Sequence, residues 1–263
     1  MVSRGAVGGT GHAERVFRVQ QAFTWLRGRA HGPGELARAT GLDDSTVYRI
    51  LRSGVGEGAF VQEGRGLYRL GSTTPHLALK ALAHAPVRDA CHAALEGLRE
   101  ATEGGLAFLY LLAPFGGAGR QCVDMAVGDS DLTELGLSPR ALLAVSQSLR
   151  VGAAGRAILA HLPEAIREAV LEQPVPPEAG PGAHRDDVEL LASLKPIREQ
   201  GYAVECEESA AGWHGCAAPV HADELIMGSV LLLKPAHALP AEISRDVIAA
   251  TRHAADGIRI NSR

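Results

Sequence analysis

The stretch from Glu35 to Leu51 reads ELARATGLDDSTVYRIL, and its pattern decides the fold of the first part of the chain. A short helix is predicted from about Gly34 to Ala39. It stops at Gly41, because glycine readily takes the left-handed conformation that follows a helix end. The stretch therefore predicts two helices joined by a tight turn.

The second of these helices begins near Ser45, where Asp43 or Asp44 can cap its first amide groups. The helical period turns Val47, Ile50 and Leu51 toward the core. Glycines that follow at every second position disfavour helix, so the helix is predicted to end near Ser53. The positions predicted to face outward are Ser45, Thr46, Tyr48, Arg49 and Arg52.

Working outward, one helix is predicted before this stretch and a hairpin after it. Apolar residues from Val16 to Leu26 recur at helical spacing, and a turn-rich segment follows. Residues 60–70 form two short alternating runs around a glycine-bearing turn that carries Arg65. This order is typical of a winged helix-turn-helix, whose second motif helix enters the major groove of double-stranded DNA.

The charge distribution agrees with a nucleic-acid partner for this part alone. The 263 residues carry a formal net charge of −4, but residues 1–80 hold 11 Lys and Arg against 6 Asp and Glu. The remaining residues hold 15 against 24. A basic segment attached to an acidic body is expected where only the first part meets a polyanion.

The second part of the chain predicts a sheet with helices. An amphipathic stripe from Val87 to Leu98 indicates an opening helix, and a similar stripe from Ile243 to Ile258 indicates a final one. Strands are predicted at 106–113, 121–127, 202–207, 216–221 and 227–233. The fold class is therefore α+β.

Five short stretches give the sequence a family resemblance. The stretch from Glu35 to Leu51, followed by GLYRLG at 66–71, resembles the DNA-binding domain of IclR-type transcription regulators. Downstream, GAAGRAILA at 152–160, IREQGYAV at 197–204 and AAPV at 217–220 are similar to that family's effector-binding domain in order and spacing. The resemblance implies a GAF-like α/β sensor domain, and homodimers or dimers of dimers paired through the DNA-binding domains.

The predicted domain organisation follows from these observations. Residues 1–12 are expected to be a flexible tail, because they are rich in glycine and poor in large apolar side chains. Residues 13–72 form the winged helix-turn-helix, 73–86 a linker helix, and 87–263 the effector-binding and oligomerisation domain.

The resemblance also implies a small-molecule pocket around Gly155, Glu205, Gly215, Leu231 and Leu233. The family commonly has hydroxyl residues where the two leucines align, so apolar bulk here suits either a hydrophobic ligand or a collapsed pocket. One carboxylate among apolar walls would repel a small organic acid, and the expected effector is therefore neutral or cationic.

Other classes of function have little support in the sequence. No motif for a catalytic serine, a phosphate-binding loop or a zinc protease occurs, so no enzymatic activity and no cofactor are expected. Glu207 and Glu208 are interpreted as a solvated strand end. His214, His221 and Cys216 fit no standard metal site.

The cysteines lack a CxxC pair, and no apolar run could span a bilayer, so a cytoplasmic protein with no membrane partner is expected.

The predicted function is thus a sequence-specific DNA-binding transcription regulator controlled by a small organic effector. Two alternatives stay open. One is a small-molecule enzyme with an appended nucleic-acid module, and the other is a ligand-independent DNA-binding protein whose second domain only assembles oligomers.

Overall fold

The first helices and hairpin of the chain follow the predicted order. A computed structural model describes residues 11–74, 77, 88–113, 118–129 and 147–258. The chain divides into two units, of which the first is made of Met1–His84 with Pro163–Ile166 and the second of Ala85–Leu162 with Arg167–Arg263. The elements of the first unit are α1 (Gly11–Trp25), α2 (Pro33–Thr40), α3 (Asp44–Gly56), β1 (Phe60–Glu63) and β2 (Leu67–Leu70).

The turn between α2 and α3 is built as the sequence predicted. Gly41 has a φ of 68°, the left-handed conformation, and ends α2. Asp43 caps α3, because its carboxylate accepts a hydrogen bond from the Thr46 amide at 2.8 Å. Hydrogen bonds from the hydroxyl of Ser45 and from Thr46 also hold the pKa of Asp43 well below its ordinary value.

One core holds the three helices and the hairpin together. Val19 of α1, Leu36 of α2 and Leu51 of α3 are fully buried, and Phe60 and Tyr68 close the core from the hairpin. Tyr68 also exchanges two backbone hydrogen bonds with His31, at 2.8 and 2.9 Å. The segment before α2 is thereby tied to the hairpin.

Three details of the first unit differ from the sequence prediction. Thr46 is buried and not outward-facing, because the first turn of α3 packs against the unit's core. The helix α1 begins at Gly11, inside the predicted tail. The helix α3 continues to Gly56, three residues beyond the predicted end.

Gly54 explains why glycine inside α3 does not stop the helix. A Cβ at this position would lie 2.3 Å from Cδ2 of Phe60, far inside van der Waals contact. The missing side chain lets the Phe60 ring pack directly on the helix. At Gly56 a Cβ would meet no atom within 4 Å.

The second unit contains a five-stranded antiparallel sheet with the strand order β4-β3-β7-β6-β5. All five predicted strands are present, with ends shifted by up to three residues. The elements are α4 (Arg88–Ala101), β3 (Leu106–Ala113), β4 (Gly119–Ala126), α5 (Gly152–Leu159), α6 (Glu164–Leu171), α7 (Asp187–Gln200), β5 (Ala203–Cys206), β6 (Trp213–Ala222), β7 (Leu225–Pro235) and α8 (Arg245–Gly257).

Helices cover both faces of the sheet. On one face Cys216 packs with Leu239, Ile243 and Val247, where the last residue belongs to α8. On the other face the hydroxyl of Ser229 donates a hydrogen bond to the Ala154 carbonyl of α5 at 3.1 Å. The sheet is therefore buried on both sides, which is why β3 and β7 are nearly continuous apolar runs.

The predicted tail and linker lie mostly outside the described residues. Residues 1–10 of the predicted tail are not among them. The same holds for most of the predicted linker at 73–86, of which Thr73, Thr74 and Leu77 are described as helical. The proposed domain boundaries at 72 and 86 therefore stay predictions.

We expect opposite effects from the same substitution at two glycines of α3. Gly54→Ala should lower stability by about 1 to 3 kcal/mol, because the methyl group displaces the buried Phe60 ring. Gly56→Ala, the matched control, should raise it by up to about 1 kcal/mol, because alanine favours helix and meets no neighbour. Thermal or denaturant unfolding of both variants checks this, and equal effects would contradict it.

Candidate functional site

The start of helix α5 lies at the centre of a buried polar cluster. All eight residues of α5 are buried, and the helix packs on β5, β6 and β7. The N-cap, Val151, has no capping side chain of its own. The first amide groups of α5 have no acceptor within the helix and must therefore find partners elsewhere in the fold.

Two carboxylates from a distant part of the second unit accept from those amide groups, and an arginine bonds the carbonyl just before them. The Glu208 carboxylate accepts from the Gly152 amide at 3.1 Å, and Oε2 of Glu205 accepts from the Ala153 amide. The Arg120 guanidinium donates to the Val151 carbonyl at 3.0 Å. A helix N-terminus favours carboxylates, so the two glutamates cap α5 in place of a local residue.

Glu208 corrects one interpretation of the sequence. It is buried, and both its oxygens accept hydrogen bonds from Arg156, with a distance of 3.1 Å between Nε and Oε2. Arg156 also donates to the Val204 carbonyl. Glu208 is thus half of a buried ion pair and not a solvated strand end. Glu207, next to it, stays partly exposed and accepts from the Gly212 amide at 2.6 Å.

Glycine at position 152 is required by this arrangement. Gly152 has a φ of 76°, and a Cβ there would lie 2.6 Å from Oε2 of Glu205. Gly155, which the resemblance placed around the pocket, faces the backbone instead. A Cβ on Gly155 would lie 2.9 Å from the Ser148 carbonyl oxygen. The residue that meets Glu205 is therefore Gly152, which sequence reasoning missed.

Arg120 is the second residue that sequence reasoning missed. Only 2% of its surface is exposed, and its guanidinium carbon lies 4.6 Å from the centroid of the Tyr110 ring. The predicted strand began at position 121, so Arg120 was left outside it. The sequence signal that could have identified Arg120 is an arginine directly before a strand of alternating pattern.

Three of the predicted effector residues do come together. A Cβ on Gly215 would lie 3.1 Å from both Cγ of Glu205 and Cδ1 of Leu231. Leu233 pairs with Gly215 across the strands, and Gly215 pairs with Glu205. Cross-strand partners share one face of a sheet, so Leu233 lies on the α5 side with the other three. The two leucines are almost fully buried.

The charges on this face differ from the expectation. The sequence predicted one carboxylate among apolar walls, whereas the face also carries Arg120 and Tyr110. Burial, together with the nearby charge of Glu208, raises the pKa of Glu205. Burial likewise raises the pKa of Glu208, although Arg156 opposes the change. The premise of one carboxylate among apolar walls is therefore wrong, because it omitted a buried cation, and the expectation of a neutral or cationic effector stays a prediction.

The residues predicted to meet DNA are placed on the surface of the first unit, with Thr46 as the exception. Ser45, Tyr48, Arg49 and Arg52 are exposed along α3. Nε of Arg49 lies 3.4 Å from the Ser45 carbonyl oxygen. Arg65 is exposed in the turn of the hairpin.

The structure gives no support to a metal site at the histidines considered above. His214 hydrogen-bonds the Leu239 carbonyl, and the ring of His221 packs edge-on against His161 with 5.0 Å between centroids. Across the described ranges, no three His, Cys, Asp or Glu side chains are grouped to hold an ion. Within those same ranges, no helix is both long and apolar enough to cross a membrane.

Comparison with known proteins places the second unit in a family. The model of the bacterial transcriptional regulator IclR C-terminal domain matches residues 136–258. A curated relative, the probable HTH-type transcriptional regulator ArcR of Halobacterium salinarum, is 32% identical over 122 residues. The match covers 43% of this chain and 44% of the relative, so it spans less than half of either protein.

Solved structures match over nearly the whole chain. The IclR protein of Thermotoga maritima is 20% identical, with a TM-score of 0.55 over 94% of this chain and 96% of that one. An IclR homologue of Microbacterium hydrocarbonoxydans, solved with 4-hydroxybenzoate, is 23% identical, with a TM-score of 0.55 over 95% and 98% of the two chains. Identities this low show the fold alone.

Residues 136–258 are therefore a domain of the bacterial transcriptional regulator IclR C-terminal type. For this part of the chain, the match confirms the resemblance to the IclR family stated from the sequence.

We expect Glu205 to make stability depend on pH in a defined direction. Its pKa is raised above the ordinary 4.5, so its contribution is fully present below about pH 4.5 and is lost as pH rises through the raised value. Glu205→Gln should therefore flatten the loss of stability that sets in as the pH rises above about 4.5. Denaturant unfolding across this range measures the slope. Glu199→Gln, an exposed position on α7, is the control and should keep the wild-type slope.

Proposed function

We propose that this protein is a DNA-binding transcription regulator whose second unit responds to a small organic effector, and that it is not an enzyme. The observation that carries the proposal is α3. This helix follows a tight turn, precedes a hairpin and exposes polar and basic side chains in the basic part of the chain. This is the order of a winged helix-turn-helix, which inserts its second motif helix into the major groove.

The exposed face of α3 is suited to base readout. Arginine can bond two acceptors of guanine at once, and hydroxyl groups can bond base edges or phosphates. We assign base contacts to Ser45, Tyr48, Arg49 and Arg52. Thr46 is excluded from this set because it is buried and accepts a hydrogen bond from Arg49 at 3.3 Å, which suits a residue that positions Arg49.

Arg65 is proposed as a backbone contact of the hairpin. It lies between Gly64 and Gly66, whose φ values of 61° and 80° form the tight turn at the hairpin tip. The tip of such a hairpin can reach the DNA backbone or the minor groove beside the helix. A homodimer or a dimer of dimers would present the motif to both halves of a pseudo-palindromic operator.

The effector is proposed to bind on the face of the sheet that α5 covers. In support of this, a homologue with the same fold was solved with 4-hydroxybenzoate. Arg120 supplies a cation that such an acid would need, and Leu231 and Leu233 supply apolar surface. The observation that favours the ligand-independent alternative is the near-complete burial of these leucines.

Substitution of Arg65 and substitution of Arg49 should weaken DNA binding in different ways. Arg65→Ala should lower the slope of log affinity against log salt by about one, because it removes one phosphate contact. Arg49→Ala should cost about 1 to 3 kcal/mol at preferred sites and relax the preference at one position per half-site. Fluorescence anisotropy with fragments selected from the source genome measures both.

The control for this experiment is Arg198→Ala, an exposed position on α7 in the second unit, which should leave affinity and slope unchanged. Absence of salt-dependent DNA binding by the full chain would overturn the proposed function. Uniform weakening of all sequences by Arg49→Ala would make Arg49 a phosphate contact.

An effector should change operator affinity as well as stability. An added ligand can shift the DNA-binding equilibrium only by its differential affinity for the two states, typically about 1 to 3 kcal/mol. We expect 4-hydroxybenzoate to raise the melting temperature of the second unit and to change operator affinity about 5- to 150-fold. Stabilisation without turnover is the expected result. If a compound is consumed, the enzyme alternative is correct, and if no organic acid changes either property, the second unit is an assembly domain.

A further inference from the structure

The side chain of Asp43 accepts two hydrogen bonds at the start of helix α3. Its Oδ1 accepts from the Ser45 hydroxyl at 2.7 Å and from the Thr46 amide at 2.8 Å. The bond from the Thr46 amide is the helix cap. The bond from Ser45 joins that cap to a side chain that is exposed on the face assigned to DNA. The cap residue therefore also restrains one of the proposed base contacts.

The direction of the bond between Asp43 and Ser45 follows from chemistry. Hydrogen bonds hold the pKa of Asp43 well below its ordinary value, so the carboxyl is ionised and can only accept. Ser45 is then the donor. A serine hydroxyl has one proton and two lone pairs, so a Ser45 that donates to Asp43 offers only lone pairs to another partner.

The position of Ser45 in α3 makes this polarity relevant to DNA. The helix begins at Asp44, and the N-terminal residues of a recognition helix are those that contact base edges. In the major groove adenine and cytosine present amino groups that donate, whereas O6 of guanine and O4 of thymine accept. An oxygen that can only accept therefore bonds adenine or cytosine and offers no hydrogen bond to the oxygens of guanine and thymine.

Arg49 places donors beside this acceptor. Its Nε lies 3.4 Å from the Ser45 carbonyl oxygen, and its Nη2 donates to the Thr46 hydroxyl at 3.3 Å. A guanidinium has five N–H donors, so donors remain for a base. Arginine suits guanine, whereas the Ser45 oxygen suits a base with an amino group. Two side chains one helical turn apart thus have opposite hydrogen-bonding character.

We propose that Asp43 is a positioning residue of the DNA interface. It holds the only hydroxyl proton of Ser45, and Ser45 therefore selects adenine or cytosine over guanine and thymine at one position of each half-site. This inference rests on the proposed function, because it names the bases that the same helix selects.

The probes are operator fragments that differ at one base. Ser45→Ala first identifies the position whose base preference depends on Ser45. The preferred base is then replaced by the same base without its amino group, which is purine for adenine and pyrimidin-2-one for cytosine. Fluorescence anisotropy with the full chain gives a Kd for each fragment. We expect the wild type to prefer the base with the amino group about 3- to 10-fold, the range of one hydrogen bond.

Two substitutions of Asp43 separate its hydrogen bond from its charge. Asp43→Asn and Asp43→Gly remove the same charge, and asparagine and glycine are both accepted as helix caps. Asparagine keeps an oxygen that can accept from Ser45, and glycine has none. Asp43→Asn should therefore keep the preference for the amino group. Asp43→Gly should reduce it at least about twofold, because the freed hydroxyl can donate as well as accept.

Two further variants test whether Asp43 acts through Ser45. In the Ser45→Ala background, Asp43→Gly should leave the ratio of Kd values unchanged, because the oxygen that contacts the base is gone. Asp44→Asn removes a charge one position away and leaves the bond between Asp43 and Ser45 in place, so it should keep the wild-type ratio. Each preference is a ratio within one variant, so a general loss of folded protein cannot mimic the result.

Each outcome decides the inference. A preference for guanine or thymine at the Ser45 position, no position that depends on Ser45, or equal ratios for Asp43→Gly and Asp43→Asn would overturn it. The salt dependence of binding is measured on the same fragments. If salt-dependent binding persists while the ratios fail, Asp43 does not set the base preference and the regulator function stands. Absence of DNA binding by the wild type would overturn both.

Discussion

The second unit depends on one constraint, which is that helix α5 begins inside the protein and must find partners for its first amide groups there. Glu208 and Glu205 supply acceptors, and Arg120 bonds the Val151 carbonyl just before the helix. Buried charges are costly unless they are paired and hydrogen-bonded. The pairing of Glu208 with Arg156 offsets that cost for two of them, and the absence of a side chain on Gly152 gives the carboxylates access to the helix.

The same side chains that hold α5 are polar groups on the side of the sheet where we propose that an effector binds. A compound that contacts Arg120 or Glu205 therefore competes with, or adds to, the restraint on the start of α5. Binding at the proposed site would therefore change the stability of the domain through the same contacts that hold α5. Regulation by a ligand requires such a differential interaction with two states.

Two contacts fix the position of helix α3 in the first unit. Gly54 lets the Phe60 ring approach α3 directly, so the hairpin lies against the helix that precedes it. Asp43 fixes the start of the same helix through the Thr46 amide. The Asp43 cap and the contact of the Phe60 ring with the helix together determine which side of α3 faces the core. The other side exposes Tyr48, Arg49 and Arg52.

The sequence alone determined the element order, the turn at Gly41, a cap for α3 at Asp43 or Asp44 and the family resemblance, because these depend on local conformational preference, hydrophobic period and short motifs. It also brought Glu205, Gly215 and Leu231 together through the resemblance. Only the tertiary structure decided the length of α3, the burial of Thr46 and Glu208, and the presence of Arg120 beside the site. Each of these depends on a partner far away in the sequence, such as Phe60 for Gly54 and Val151 for Arg120. Local pattern carries no information about such contacts.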